Sequence, residues 1–397
     1  MIPDIRKEFN EAFSQEKYEA YLQELNSFHG GGDFRVGETP VFVPRAFTQQ
    51  MLDTCEAVID VMLKPGFKTD TDRAIPPGYA VPNEEPYPAV IAFDFGVCSD
   101  GREGYEPQLI EMQGFPTLFG YQIMQSAVFA RHFNLPDNFS PLLGGHTHET
   151  YLQTLKEVIV GQHAPENVIL LEIFPHQQKT KIDFYFTQDF LGIKPVCITE
   201  LIKKGNKLFY EDNGVEIPVK RIYNRVIFDE LAQQSPKVKE KAAILFEPLE
   251  VEWVPHPAWF YRLSKFTLPL IDHPHIPQTR YLDTVKDLPA DLENYVLKPL
   301  FSFAGQGVVI DVSPDDIAAV KDPENWILQK KVNYAPVIVT PDGPAKAEIR
   351  LFYFWKPGAD RPIPGSNLAR LSKGKMIGVR YNKDKIWTGS SFCLFEK

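Results

Sequence analysis

The stretch Tyr295 to Asp311, YVLKPLFSFAGQGVVID, sets an apolar run ending in a lysine against a second apolar run, with glycines between them. The pattern predicts strand, loop, strand. Val296 and Leu297 precede Lys298, and Val308 to Ile310 supply the β-branched residues that a buried strand favours. Ser302, Gly305, Gln306 and Gly307 fall in the loop. Glycine adopts positive φ at little cost, so successive N–H groups can turn toward a phosphate chain while Lys298 adds a full charge. That is the chemistry of a nucleotide lid. No GxxxxGK(S/T) occurs, and Gly305-Gln306-Gly307 lacks the third glycine and following helix of a dinucleotide fingerprint. An ordinary hairpin with a solvated lysine is the other reading of this stretch.

A second informative pair of segments lies far upstream. Ala89 to Val97, AVIAFDFGV, predicts a strand carrying one acid, Asp94, and Gln108 to Gln113, QLIEMQ, predicts another. Strand alternation puts Glu111 and Gln113 on one face, and an antiparallel neighbour brings Asp94 alongside. Two carboxylates and an amide oxygen suit a hard cation such as magnesium, which takes oxygen ligands and keeps positions for water and phosphate. A strand with a solvent face, its three polar residues simply exposed, is the alternative. Acids inside such apolar runs nevertheless need a partner.

The chain has 397 residues, a formal net charge of −10 and 44% hydrophobic content, enough for two or three cores of a globular protein. The acidic balance argues against a general nucleic-acid surface. Its four cysteines, Cys55, Cys98, Cys197 and Cys393, are scattered without a CxxC pair, so neither a disulfide framework nor a zinc site is expected and a reducing cytoplasm fits. The N-terminal segment has no apolar signal region, and no later apolar run is long enough to span a bilayer. With 34 prolines and 29 phenylalanines, many short elements joined by stiff turns are expected.

Other segments define the scaffold. An amphipathic helix opens residues 1–45, and Met51, Cys55, Val58, Ile59 and Met62 share one helical face, which is packing rather than chemistry. Helical periodicity returns across residues 123–165; His146 and His148 sit there in a glycine-rich turn without further ligands. From Asn167 the apolar run NVILLEIFP, a hairpin near Lys203 to Lys220 and the strand IYNRVIF predict an open α/β domain whose strand ends could hold a small substrate. Glu324 to Val332, ENWILQKKV, predicts an extended segment whose backbone can bond an adenine edge, or else a charged edge strand.

The order Ser264-Lys265, then IPQT, then YVLKP with SFAGQGV, then WILQKKV, resembles the nucleotide-binding lobe of ATP-grasp enzymes. The resemblance implies that Lys265 and Lys298 touch ATP phosphates, with the loop Ser302 to Gly307 closing over them. Gln329, Lys330 and Val332 then belong to the linker that meets adenine. FDFGV followed by PQLIEMQGFPTLFGYQ is similar to the Asp, Glu-x-Asn arrangement of the circularly permuted branch typified by glutathionylspermidine synthase, in which the metal strands come first. Asp94, Glu111 and Gln113 take the magnesium positions on that reading, and GVRYNKDKIWTGSSF resembles the closing segment, with Arg380 in its arginine position. Arg350 and Arg370 are further candidates for carboxylate or phosphate contact. Two departures stand out: Gln113 replaces an asparagine, and Ala92 stands where the branch has an arginine.

The resemblance implies an α/β, circularly permuted ATP-grasp fold with an additional open α/β domain. The expected organisation is a metal-binding lobe within 1–165, the α/β domain over 166–250, the lid lobe over 251–345 and the rest of the catalytic lobe over 346–397. It implies an ATP- and magnesium-dependent ligase that joins a small-molecule carboxylate to an amine through an acyl phosphate. A phosphotransferase on the same scaffold and a non-catalytic ATP-binding protein are the alternatives.

Overall fold

The computed structural model describes residues 1–102, 104–301, 307–374, 377, 382 and 384–397. Two helices, α1 (Pro3–Ala12) and α2 (Gln15–Ser27), open the chain in place of the single helix that the periodicity predicts. The break comes at extended Phe13, after which the Ser14 hydroxyl caps α2 by accepting from the Lys17 N–H. Strand β1 (Val41–Val43) leads into α3 (Arg45–Met62) and a single turn, α4 (Phe67–Asp70). Long strands β2 (Val90–Ser99) and β3 (Tyr105–Gln113) follow, then α5 (Phe119–His132), β4 (Phe139–Ser140) and α6 (His148–Ile159).

The segment after Asn167 builds an open parallel sheet. Strand β5 (Val168–Glu172), helix α7 (Lys181–Leu191) and strand β6 (Lys194–Cys197) form a βαβ unit. A three-stranded antiparallel meander, β7 (Ile202–Lys204), β8 (Lys207–Asp212) and β9 (Val215–Val219), precedes β10 (Arg221–Asn224), with β11 (Glu252–Val254) beside it. The parallel order is β11-β10-β5-β6, and Val168 to Leu171 are fully buried, as expected for strands covered on both faces.

Downstream, β12 (Thr279–Tyr281), β13 (Tyr295–Pro299), β14 (Val309–Ile310) and β15 (Trp326–Lys330) form a small antiparallel sheet in the order β12-β15-β13-β14. The remaining strands are β16 (Lys346–Phe354), β17 (Ile363–Ser372), β18 (Gly389–Ser391) and β19 (Cys393–Glu396). They return to the early part of the chain. The central antiparallel sheet runs β18-β17-β16-β2-β3, so residues 90–113 pair with residues some 250 positions later, and β1 runs parallel to β19.

The central sheet explains where polar residues can collect. One face, with Phe93, Phe95, Val97, Ile349, Leu351 and Tyr353, packs into the same core as Met51, Cys55, Val58 and Ile59 of α3. The other face is apolar at one end only, where Val90, Ala92, Phe352, Phe354 and Leu368 share a core with Phe119, Tyr151 and Leu155 from α5 and α6. Further along that face the side chains become Asp94, Glu348, Arg350 and Arg370. All four cysteines are buried and unpaired, Cys55 completely. Among the described residues, no helix is long and apolar enough to cross a membrane.

Candidate functional site

Register alone assembles the first cluster. Asp94 on β2 lies opposite Glu111 of β3 on one side and Arg350 of β16 on the other, while Glu348 lies opposite Arg370 of β17. Residues directly opposite share a face, so these five side chains meet on one surface. Asp94 is 1% exposed. Its Oδ1 accepts from Arg350 Nε, and its Oδ2 accepts from Arg350 Nη2 at 2.5 Å and from Arg370 Nη2 at 3.1 Å. Arg370 also pairs with Glu348. Burial alone would raise the Asp94 carboxyl, but Arg350 and Arg370 outweigh it and hold Asp94 below the ordinary carboxylate range. Glu348, buried with a smaller share of that positive charge, is pushed up by desolvation. Arg370 is held above its usual value because Glu348, Asp94 and Glu111 outweigh the effect of its burial.

The two lysines approach the same surface from different elements. Lys265, 5% exposed, opens a 3-10 stretch whose start is fixed by Ser264, and its Nζ lies 3.5 Å from Glu111 Oε1. Lys298 projects from β13 and donates to Gln329 Oε1 at 2.6 Å and to the Ile110 carbonyl at 3.3 Å. That carbonyl is exposed by a bulge: Asp94 faces Glu111 but Phe95 faces Leu109, so Ile110 has no partner on β2. Gln329 in turn donates to Thr279 Oγ1 at 3.0 Å, tying three strands of the small sheet to the bulge. Burial, helped by nearby Lys265 and opposed by Glu111 and Glu348, lowers the Lys298 ammonium to about 8.

Tyr334 completes the enclosure, although no motif marks it. The segment after β15 bonds along β2 through Ser99 N–H to the Asn333 carbonyl, and Tyr334 donates its hydroxyl to Glu348 Oε2 at 3.2 Å. Its ring covers Gly96, where a Cβ would lie 2.9 Å from a ring carbon.

The candidates named from the sequence therefore divide. Lys265, Lys298, Gln329, Asp94, Glu111, Arg350 and Arg370 come together; Gln113, opposite Ala92, ends β3 half-buried beside them. Lys330 is exposed and Val332 half-buried on the stretch leaving β15. Gly307 adopts φ +73 and packs against Pro299. Ser302, Gly305, Gln306 and Arg380 lie outside the described residues.

Of the three residues expected at magnesium positions, Asp94 has arginine partners. Both Asp94 oxygens are engaged by guanidinium groups, and among the described residues no three acids, histidines or cysteines are arranged to hold a metal. Glu111 and Gln113 remain as oxygen donors suited to such an ion. A cleft of about 390 Å³ lies elsewhere, on the opposite face of the small sheet, against Leu297, Val309 and Trp326.

A second buried polar cluster sits at the carboxyl ends of the parallel strands, where sheets of this kind leave a crevice. Glu172 ends β5, Asn224 ends β10, and Arg225 follows, stacked on Phe115 and Phe184 with its Nη1 bonded to the Pro116 carbonyl. The Asn224 amide nitrogen, both amide atoms of Gln122 and Arg225 Nε are buried without a hydrogen-bond partner among the described residues. Desolvation pushes Glu172 up to about 8 against the pull of Arg225. Neither residue stands out by motif; the signal that could have found this cluster is the Asn224-Arg225 pair closing an apolar strand. Residues 113–118 link it to the first cluster.

No protein-family model and no curated sequence matches the chain. Solved structures do match. Over 96% of this chain and 96% of the other, it superimposes on a glutathione synthetase-like effector from Globodera pallida, solved in the apo form, with a TM-score of 0.62 and 11% sequence identity. In fold it is similar to that glutathione synthetase-like protein. At that identity the likeness concerns the fold alone.

Proposed function

We propose that this chain is an ATP-dependent carboxylate–amine ligase of the circularly permuted ATP-grasp type. The observation that carries the reading is the meeting of Lys265, Lys298, Arg350 and Arg370 at the junction of the small and central sheets. Four cations here face the acids Asp94, Glu111 and Glu348, of which Glu348 is pushed toward its neutral form, so the surface favours an anion. Lys265 and Lys298 would hold the phosphate chain of ATP, and Gln329 keeps Lys298 in place. Bound ATP supplies the phosphoryl group that activates a substrate carboxylate, and an amine then displaces phosphate. Glu111 and Gln113 are the donors for a magnesium ion accompanying the nucleotide. Arg225 and Asn224, at the carboxyl edge of the parallel sheet, are suited to a substrate carboxylate.

A second reading, a nucleotide-binding protein without turnover, is favoured by one feature: Asp94 is paired with arginines, and Ala92 leaves no cation two residues before it. ADP release decides between the two. With ATP, magnesium and pooled amino acids, small peptides and polyamines, the wild type should release ADP in response to substrate and Glu111→Ala should not. Lys298→Ala should weaken ATP binding by about 10- to 100-fold, the loss of one charge-assisted contact. Unchanged affinity in that variant would remove the assignment of the site, whereas tight binding without any ADP release would favour the second reading.

A further inference from the structure

We infer that Asp94 is the anchor of Arg350 and Arg370 and not a ligand for magnesium. Three N–H donors from two guanidinium groups converge on its two oxygens, Arg350 in the paired fork geometry that fixes a guanidinium plane. The carboxylate is 1% exposed, while magnesium keeps several waters in its octahedron and needs a ligand it can reach with them. A dication at either oxygen would also stand against two permanent positive charges. The arginines need the acid in their turn: Arg350 is 9% exposed, and among the described residues Asp94 is the one side chain it hydrogen-bonds, so without Asp94 its buried charge keeps only the more distant field of Glu348. Asp94 is thus a positioning residue, holding two guanidinium groups on the face that Lys265 and Lys298 also reach.

The inference concerns the cluster on which the proposed function rests, but its test needs no turnover. In EDTA, Asp94→Asn should lower Tm by about 4–6 °C, since buried Arg350 loses its carboxylate partner and Arg370 keeps only Glu348; an unchanged or raised Tm would overturn the assignment. In ¹H–¹⁵N spectra of the wild type, the Arg350 Nε–H, assigned with Arg350→Lys, should be protected from exchange and should not move when magnesium is added. A shift or loss of that signal with magnesium would show the metal displacing the arginine and would also overturn it. This second measurement stands if Asp94→Asn fails to fold. Where ATP binds, the ratio of its affinity in magnesium to that in EDTA should agree within about threefold between wild type and Asp94→Asn; collapse of the ratio in the variant would make Asp94 a metal ligand. Absence of ATP binding in both buffers would remove the proposed function and leave the stability and spectroscopic arms to decide this inference.

Discussion

A carboxylate changes its chemistry according to what reaches it first, and three acids of this chain show three outcomes. Asp94 is captured by arginines and stays ionised; Glu111, with 31% of its side chain exposed, keeps access to solvent and to Lys265; Glu172 is buried with little compensation and takes its proton up to about pH 8. Glu172 makes the clearest pH prediction. Its folded pKa lies above the unfolded value, so between about pH 4.5 and 8 the native state holds a proton that the unfolded chain has released. Its contribution is full below the unfolded pKa and is lost as pH rises through the folded one. Glu172→Gln should therefore lose less stability than the wild type between pH 5 and pH 8, by about 1–3 kcal/mol in denaturant melts, and parallel pH profiles would disprove the assignment. The residue types at the first site were legible in the sequence because apolar strands rarely carry an unpaired acid. The partners were not: nothing near Asp94 names Arg350, which is 256 positions away.

At the scale of elements, the strand-loop-strand reading of Tyr295 to Asp311 corresponds to the antiparallel pair β13 and β14, and Ala89 to Val97 to β2. Hydrophobic alternation sufficed there. It could not reveal the bulge at Ile110, which depends on the register between two strands, nor the passage of Tyr334 across β2. Gly96 records that passage. A methyl group at this position would lie 2.9 Å from one Tyr334 ring carbon and 3.2 Å from Cys98 Sγ, both inside a packed region. Gly96→Ala should destabilise the fold by about 1–3 kcal/mol through overpacking and loosen the Tyr334 to Glu348 hydrogen bond. Chemical denaturation measures the first effect. Tyr334→Ala in the same background should recover part of the loss, and a purely additive double variant would show that the ring is not the obstacle.

For the whole molecule, local periodicity announced an α/β chain with an open parallel domain but could not state how distant segments meet. The central sheet joins residues 90–113 to 346–391, and that closure is set by complementary strand edges and shared cores rather than by any local pattern. The resemblance in the lid and metal segments led to the expectation of a circularly permuted arrangement, and what the comparison shows is a fold similar to that of a glutathione synthetase-like protein. One element of that closure has a mechanical consequence. Val41–Val43 runs parallel to Cys393–Glu396, in register from Val41 with Cys393 to Val43 with Phe395. Tension applied before Val41 and after Glu396 pulls these two strands in opposite directions along their length, loading the hydrogen bonds between them together instead of one at a time. Single-molecule stretching across these points should meet a distinct force peak before the central sheet extends, and Val41→Pro, which removes the N–H that donates to the Phe392 carbonyl, should lower it.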